Sequence, residues 1–276
     1  DLKSGSLEDG KMNPTTYDVE TESFTLNNPT RTGYTFKGWS GTGITGLLET
    51  VTIPKGQTGE RSYSANWEKI TYDITYDLGG GTNAVNNPST YDVESNDVTL
   101  AAPTRNGYTF EGWTGTDITG TSKNVTISKG STGKREYTAN WKVITYQITY
   151  DLDGGEVETA NKSEYTIESE AFTLTNPTKK GYTFTGWSGT DITDNADTIT
   201  IAQGTTGDKS YQANWSIDTY TITYDLDGGT NNAYNPSSYQ VTDSDITLKS
   251  PEKKGHSFEG WKLNGTGELL TTVTIS

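Results

Sequence analysis

The chain has 276 residues, a formal net charge of −15, seven tryptophans and no cysteine. This acidity opposes binding to nucleic acid, because such binding depends on Lys and Arg side chains that neutralise phosphates, and it opposes anionic membrane surfaces for the same reason. The absence of cysteine excludes a disulfide scaffold and a zinc–cysteine site. No apolar run approaches 18 residues, so membrane insertion is not predicted. We found no signal peptide or sorting tail and expect the sequence to be a segment of a longer protein.

The predicted strands follow one another closely, as the stretch from residue 70 to 143 illustrates. The segment "ITYDITYDL" from Ile70 alternates apolar and polar residues, which is typical of a half-buried strand. After it come two short apolar pairs in "TYDVESNDVTL" and a Pro-to-Gly turn in "APTRNGYTF" that leads into a strand at Tyr108. Further strands are predicted at "NVTI" and "EYTANW". No window keeps an i, i+3, i+4 pattern, so we expect five or six strands and at most one helical turn as a crossover.

One aromatic phrase recurs along the chain. It reads "YTFKGWSGT" from Tyr34 and returns as "YTFEGWTGT", "YTFTGWSGT" and, in a looser form, "HSFEGWKLNGT". Its tryptophans lie 74 residues apart, at Trp39, Trp113, Trp187 and Trp261, and a second series ends the phrase "ANW" at Trp67, Trp141 and Trp215. A fixed period of this length indicates tandem copies of one unit that is long enough to form its own small core.

The period predicts four repeats, which we number from the N-terminus. Their predicted bounds are 1–69, 70–143, 144–217 and 218–276, with the first strand missing from repeat 1 and the "ANW" strand missing from repeat 4. The joints between repeats have two to four residues and contain neither Gly nor Pro, so we expect them to restrict bending. Four such domains in line would form an elongated array of roughly 110 Å.

The tryptophans pose a question of side-chain direction. Strict alternation from Tyr108 would place Trp113 on the exposed face of its strand. A β-bulge at the preceding glycine would return the tryptophan to the apolar face, and glycine inside a strand is where bulges are expected. We therefore predict core positions for both tryptophan series, because so small a unit needs its large side chains in the core. The bulge glycines would be Gly38, Gly112, Gly186 and Gly260.

Residues with catalytic potential are scarce. The only histidine, His256, replaces a tyrosine in the fourth aromatic phrase, so neither a Ser-His-Asp nor a Cys-His arrangement is predicted. Asp and Glu total 36, so counting alone leaves paired carboxylates open, but tandem small β-units offer no evident large cleft. The sequence therefore predicts no enzyme and no catalytic, cofactor-binding or metal-binding residues.

Two further motifs favour a structural interpretation. The phrase "DLDGG" at Asp151 and Asp225 begins like a calcium loop but lacks the later oxygen ligands of an EF-hand, which leaves calcium binding open. We predict turns there instead, with positive φ angles at Gly154, Gly155, Gly228 and Gly229. An internal Lys–Asn isopeptide bond is not predicted, because no lysine recurs in every repeat beside the recurring asparagines Asn66, Asn140 and Asn214.

The order "YxITYDLxGGT", "APTRxGYTFxGW" and "YxANW" resembles the Listeria-Bacteroides repeat, also called the internalin B-repeat. The resemblance covers essentially the whole chain and is specific in "P-T-x-x-G-Y-T-F-x-G-W", which is present from Pro29, Pro103 and Pro177. It implies small, mainly β, β-grasp-like domains in tandem on secreted and cell-wall-attached bacterial proteins. Repeat 4 departs from the pattern at His256 and at a two-residue insertion near Leu263, which affects its loop.

We expect a non-enzymatic stalk or spacer of an adhesin-like bacterial surface protein, located outside the cell. A monomer is expected, without nucleic-acid or membrane partners; an unknown protein or glycan partner would be bound through flanking domains. The alternative is a multivalent binding module in which recurring tyrosines stack on a sugar. The alternation of these tyrosines with apolar residues suggests that they point inward; the tyrosines are Tyr17, Tyr91, Tyr165 and Tyr239, and the apolar residues are Val19, Val93, Ile167 and Val241.

Overall fold

A computed structural model describes residues 1–265 and 267–276, and the chain divides into two units, Asp1–Val143 and Ile144–Ser276. The strands of the first unit are β1 (Phe24–Thr25), β2 (Tyr34–Gly41), β3 (Thr52–Ile53), β4 (Tyr63–Lys69), β5 (Tyr72–Asp77), β6 (Thr90–Tyr91), β7 (Val98–Thr99), β8 (Tyr108–Gly115), β9 (Thr126–Ile127) and β10 (Arg135–Val143). Those of the second are β11 (Thr145–Asp151), β12 (Glu164–Thr166), β13 (Phe172–Thr173), β14 (Tyr182–Gly189), β15 (Thr200–Ile201), β16 (Lys209–Ile217), β17 (Tyr220–Thr221), β18 (Ser238–Tyr239), β19 (Ile246–Thr247) and β20 (Thr274–Ile275).

Repeat 2 contains a four-stranded sheet in the order β6-β5-β10-β8. Its central strands, β5 and β10, run parallel, with Ile74 opposite Arg135 and Asp77 opposite Thr138. The outer strands are antiparallel to their neighbours. The first and last strands of the repeat therefore lie side by side in the centre of the sheet, which agrees with the predicted mainly β, β-grasp-like unit.

The remaining sheets of the first unit are two-stranded. Strand β2 pairs with β4 in repeat 1, and the short antiparallel pairs β1–β3 and β7–β9 lie beside the larger sheets in repeats 1 and 2. The crossover from β5 to β10, all of it described, runs through loops and the strands β6 to β9 without a helical turn, which agrees with the prediction of at most one. Among the described residues the only helical turn is the 3-10 segment Leu263–Gly265, near the insertion in repeat 4.

The second unit repeats the pattern with the sheet β12-β11-β16-β14 in repeat 3. In repeat 4, residues 256–260 form no strand, although the equivalent phrase forms an eight-residue strand in each of the other three repeats. In the other three repeats this phrase pairs with the "ANW" strand. Trp261 still forms a bridge with Leu270.

The aromatic-phrase tryptophans form the centres of three hydrophobic cores. The exposed fraction is 2% for Trp39 and 0% for Trp113 and Trp187. A bulge directs them inward: Gly112 lies opposite Asn140 and Phe110 opposite Trp141, so that Glu111 is the extra residue. Strands β2 and β14, which carry the same aromatic phrase, have the same bulge before Gly38 and Gly186. The predicted bulge and core positions of these three tryptophans are therefore confirmed.

The "ANW" tryptophans lie differently from the prediction. Trp67, Trp141 and Trp215 are half-buried at the edge of the core rather than within it. The indole N–H of Trp141 donates to the Leu78 carbonyl at 2.9 Å, and its ring covers Gly81 so closely that a Cβ on that glycine would lie 2.7 Å from the ring. One face of each indole therefore seals the turn after the first strand, while the opposite side stays accessible to solvent.

Candidate functional site

The contacts that join consecutive repeats recur in both units and form the candidate functional site. In the first unit, the backbone N–H of Ile70 donates to the Gly33 carbonyl at 2.9 Å. Val93 packs directly onto Gly33, and a Cβ on this glycine would overlap the valine side chain. Gly33 also has a φ of 78°, a conformation that favours glycine. The joint between repeats 1 and 2 is therefore a close backbone–side chain contact as well as a peptide link.

Charged side chains surround this first joint. The Tyr34 hydroxyl donates to Glu94 of the next repeat, and the Lys69 ammonium lies 2.8 Å from Asp92 Oδ2 and 3.4 Å from Glu94 Oε2. The Arg31 guanidinium stacks over the Tyr34 ring at 3.7 Å from its centroid. We call Arg31, Tyr34, Lys69, Asp92 and Glu94 the joint cluster.

The joint cluster shifts the pKa values of its members. The hydrogen bond from Tyr34, followed by that from Lys69, lowers the pKa of Glu94. The hydrogen bond from Lys69 lowers the pKa of Asp92 most, and these two carboxylates raise the pKa of Lys69. All of these groups are accessible to solvent, so their attraction is screened by salt and each pair contributes little by itself.

The second unit has the same backbone joint without the charged cluster. The Asp218 N–H donates to the Gly181 carbonyl at 2.9 Å, and a Cβ on Gly181 would lie 2.6 Å from Val241. The polar contacts are the Thr183 hydroxyl to Asp218 at 2.6 Å and the Gln240 amide to the Thr219 hydroxyl at 3.0 Å. The two joints therefore share the glycine–valine contact and differ in charge.

Two of the four recurring tyrosines, Tyr91 and Tyr165, point into the core, as the alternation indicates. Tyr91 and Tyr165 are buried, and their hydroxyls donate to the carbonyls of Gly133 and Gly207 at 2.6 and 2.5 Å. Arg135 Nε donates to the Tyr91 hydroxyl at 3.0 Å. The ring faces of these two tyrosines are therefore packed in the core and are not available for a sugar to stack on.

The core tryptophans differ in one hydrogen bond. The indole N–H of Trp39 and that of Trp187 each donate to an asparagine side chain, Asn28 and Asn176, at 2.9 Å. In repeat 2 the equivalent residue is Ala102, and the buried Trp113 Nε1 has no hydrogen-bond partner among the residues that the structure describes. A buried donor without a partner costs stability, so repeat 2 lacks a contact that its neighbours have.

The asparagines considered for an isopeptide bond make structural hydrogen bonds, and the histidine considered for catalysis lies at the surface. Asn140 donates through Nδ2 to the Gly112 carbonyl at 3.1 Å and to the Thr114 hydroxyl, and Asn66 and Asn214 make equivalent bonds to Gly38 and Gly186. These asparagines thus hold the bulge that orients the core tryptophan. His256 is exposed, with Nδ1 at 3.1 Å from the Lys254 carbonyl.

The two "DLDGG" segments form tight turns. Asp153 and Asp227 each have a φ of 46°, and Gly154 and Gly228 also have positive φ angles. The prediction was wrong for Gly155 and Gly229, which do not have positive φ angles. Gly155 is required instead by close approach, since a Cβ there would lie 2.5 Å from the Trp215 ring. No group of three or more His, Cys, Asp or Glu side chains is placed to hold a metal within the described part of the chain.

Sequence reasoning did not identify the joint residues. The alternation with Tyr91 predicts that Val93 faces the core of its own repeat, whereas the structure places its side chain on Gly33 of the preceding repeat. The available signal was the recurrence of a glycine before the aromatic phrase together with a β-branched residue at a fixed position. The equivalent valine of repeat 1, Val19, is 48% exposed.

The family comparison matches most of the chain. The model of the Listeria-Bacteroides repeat domain matches residues 6–46, 72–141, 146–210 and 220–275. Two proteins of Evansella cellulosilytica, provisionally named as a Gly-rich membrane protein and a membrane protein, are 26% and 27% identical over 83% and 71% of this chain. Internalin H of Listeria monocytogenes is 28% identical over 53% of the chain.

The matched segment covers a minor part of these relatives. The chain spans 26% and 28% of the two Evansella proteins and 24% of internalin H. No solved structure matches the chain. None of the helices described here is long and apolar enough to cross a membrane. The tandem period, the mainly β repeats and the match over four stretches lead to one assignment: this chain belongs to the Listeria-Bacteroides repeat domain family.

Proposed function

We propose that the chain is a non-enzymatic spacer in a bacterial surface or secreted protein, where it holds a distal domain away from the cell as part of an adhesin-like stalk. The observation that carries this proposal is the joint itself. In both units a glycine carbonyl accepts the N–H of the connecting segment and a valine of the next repeat packs on that glycine. A spacer needs joints that resist bending, and this contact restrains the short connection at a second point.

The location of the spacer is inferred from the relatives. Two of them carry the name of a membrane protein and a third is an internalin. Because the chain matches only about a quarter of each relative, we assign recognition of a protein or glycan to regions outside these repeats. We further propose that the chain is monomeric, since its acidic surface favours mutual repulsion between copies.

The alternative of a sugar-binding module is weaker. It required the recurring tyrosines to present their rings to solvent, and Tyr91 and Tyr165 are buried with their hydroxyls bonded to backbone carbonyls. Glycan-array binding that is lost when exposed residues of repeats 2 and 3 are replaced, with folding intact, would restore this alternative.

Small-angle scattering combined with distances between spin labels tests the spacer proposal. We expect an elongated particle with a narrow distribution of distances between labels in repeats 1 and 2. The change Gly33→Ala should broaden that distribution, because the new methyl group overlaps Val93. Gly56→Ala is the matched control: Gly56 has a φ of 80°, close to the 78° of Gly33, but among the described residues an added Cβ would have no neighbour within 4 Å apart from Gly56 itself and the two residues next to it in the chain.

Two results would overturn the proposal. The first is a compact or freely flexible unmodified chain. The second is equal broadening in the Gly33→Ala and Gly56→Ala variants, which would mean that backbone strain rather than the joint contact governs the distances.

A further inference from the structure

The two ends of repeat 2 belong to neighbouring parallel strands. The chain enters the repeat at β5 and leaves it at the end of β10, and these two strands pair directly from Ile74–Arg135 to Asp77–Thr138. In a parallel pair the start of one strand and the end of the other lie at opposite ends of the pair. Repeat 3 has the same arrangement, with β11 and β16 paired from Ile148–Lys209 to Asp151–Gln212.

This arrangement determines how tension acts on a repeat. A force that draws the chain ends apart pulls β5 toward its start and β10 toward its end, so the two strands slide along each other. Sliding loads all the hydrogen bonds between them at once. Peeling an antiparallel pair from its open end, in contrast, breaks the bonds one after another.

Side chains add to the resistance between β5 and β10. The Trp141 indole on β10 donates to the carbonyl of Leu78 just after β5, at 2.9 Å. Tyr76 of β5 contacts the rings of Tyr137 and Trp113, with centroids 6.3 and 5.7 Å apart. Repeat 3 repeats these contacts through Trp215 and Leu152 at 3.2 Å and through Tyr150 and Tyr211. These contacts would have to break in the same step as the strand pair.

We propose that repeats 2 and 3 are mechanical clamps that bear tension along the chain through shear of the parallel strand pair. The half-buried "ANW" tryptophan then has a specific role in the clamp, because its hydrogen bond joins the last strand of the repeat to the turn that follows the first strand. The biological use of the clamp rests on the proposed spacer function, whereas the clamp itself follows from strand order and register alone.

Force spectroscopy on the full chain tests this inference through the direction of pulling. The chain has no cysteine, so two introduced cysteines define the points of attachment. The pair Thr71→Cys and Lys142→Cys loads β5 against β10 in shear. The matched pair Thr109→Cys and Lys142→Cys shares one attachment point and peels β8 from β10, because Thr109 lies opposite Lys142 in the antiparallel register. All three positions are exposed, so neither pair should disturb the core.

We expect the rupture force in shear to exceed the peeling force at least twofold, with a single step that lengthens the chain by on the order of 200 Å. Equal forces in the two directions, or gradual extension without a step in shear, would overturn the clamp. A flexible array in the scattering experiment together with a high shear force would reject the spacer and keep the clamp. A stiff array in the scattering experiment together with equal rupture forces in the two pulling directions would keep the spacer and reject the clamp.

Discussion

Trp187 Nε1 donates to Asn176 Oδ1 at 2.9 Å, and this bond satisfies the indole at the centre of the repeat 3 core. Trp39 and Asn28 form the same pair in repeat 1. Trp113 is as deeply buried as Trp187, but Ala102 takes the place of the asparagine. The indole N–H of Trp113 therefore has no hydrogen-bond partner in the described part of the chain. The repeats therefore contain a natural comparison of one buried donor with and without its acceptor.

The change Ala102→Asn should stabilise repeat 2 by about 1 kcal/mol, because the asparagine would accept the unpaired N–H of Trp113. Hydrogen exchange followed by mass spectrometry measures this gain in peptides from repeat 2. The reciprocal change Asn176→Ala should lower the stability of repeat 3 by about 1 to 3 kcal/mol, since it leaves a buried donor unpaired. No gain in repeat 2 alongside a loss in repeat 3 would show that Trp113 is satisfied in solution by another group, such as water.

The first joint should loosen in acid. The pKa values of Asp92 and Glu94 are lowered in the folded joint by Lys69 and Tyr34. A lowered carboxyl pKa contributes stability above its unfolded value, about 4, and this contribution is lost as the pH falls through the folded pKa. Spin-label distances between repeats 1 and 2 should therefore broaden below about pH 4.

The control for this effect is the variant Glu94→Gln together with Asp92→Asn. It should have the broader distances at neutral pH and change little on acidification. Raising the salt concentration at neutral pH should loosen the unmodified joint in the same direction, because the charges are exposed and screened. A joint in the unmodified chain that is unaffected by both acid and salt would show that the glycine–valine contact alone holds it.

The two tryptophans of repeat 2 should differ in their contributions to stability. Trp113→Ala removes a fully buried ring and should cost about 3 to 5 kcal/mol, enough to unfold much of so small a repeat. Trp141→Ala removes a half-buried ring and its hydrogen bond to Leu78, so its cost should be smaller, about 2 to 3 kcal/mol. Calorimetry of the two variants measures both losses of stability. A greater loss for Trp141→Ala than for Trp113→Ala would contradict this ranking and show that the "ANW" tryptophan contributes more to the core.

Alkaline pH should destabilise repeats 2 and 3. Burial raises the pKa of Tyr76 and of Tyr150 to about 12. A phenol whose pKa is raised on folding keeps its proton in the native state, while the unfolded chain loses it near pH 10. The free energy of unfolding should therefore fall as the pH rises from 10 toward 12. Ultraviolet titration of phenolate should show late-titrating tyrosines, and Tyr76→Phe should remove one of them.

Local pattern was sufficient for much of the repeat. The 74-residue period, the strand observed at Tyr72–Asp77 and the inward direction of Tyr91 all depend on residues close in sequence, and the fourfold repetition of the period makes each of them easier to recognise. The bulge at Gly112 could also be predicted, because only an extra residue could return a tryptophan of that size to the apolar face.

Tertiary structure decided what depends on distant partners. The parallel pairing of Ile74 with Arg135 joins residues 61 positions apart, and no local periodicity reports it. The half-burial of Trp141 depends on how far the turn at Gly81 reaches over the indole, and the role of Val93 depends on Gly33 of another repeat. Sequence by itself thus determined which residues are apolar and where most strands lie, whereas only the fold decided which surface each side chain contacts, because packing between segments far apart in sequence makes that choice.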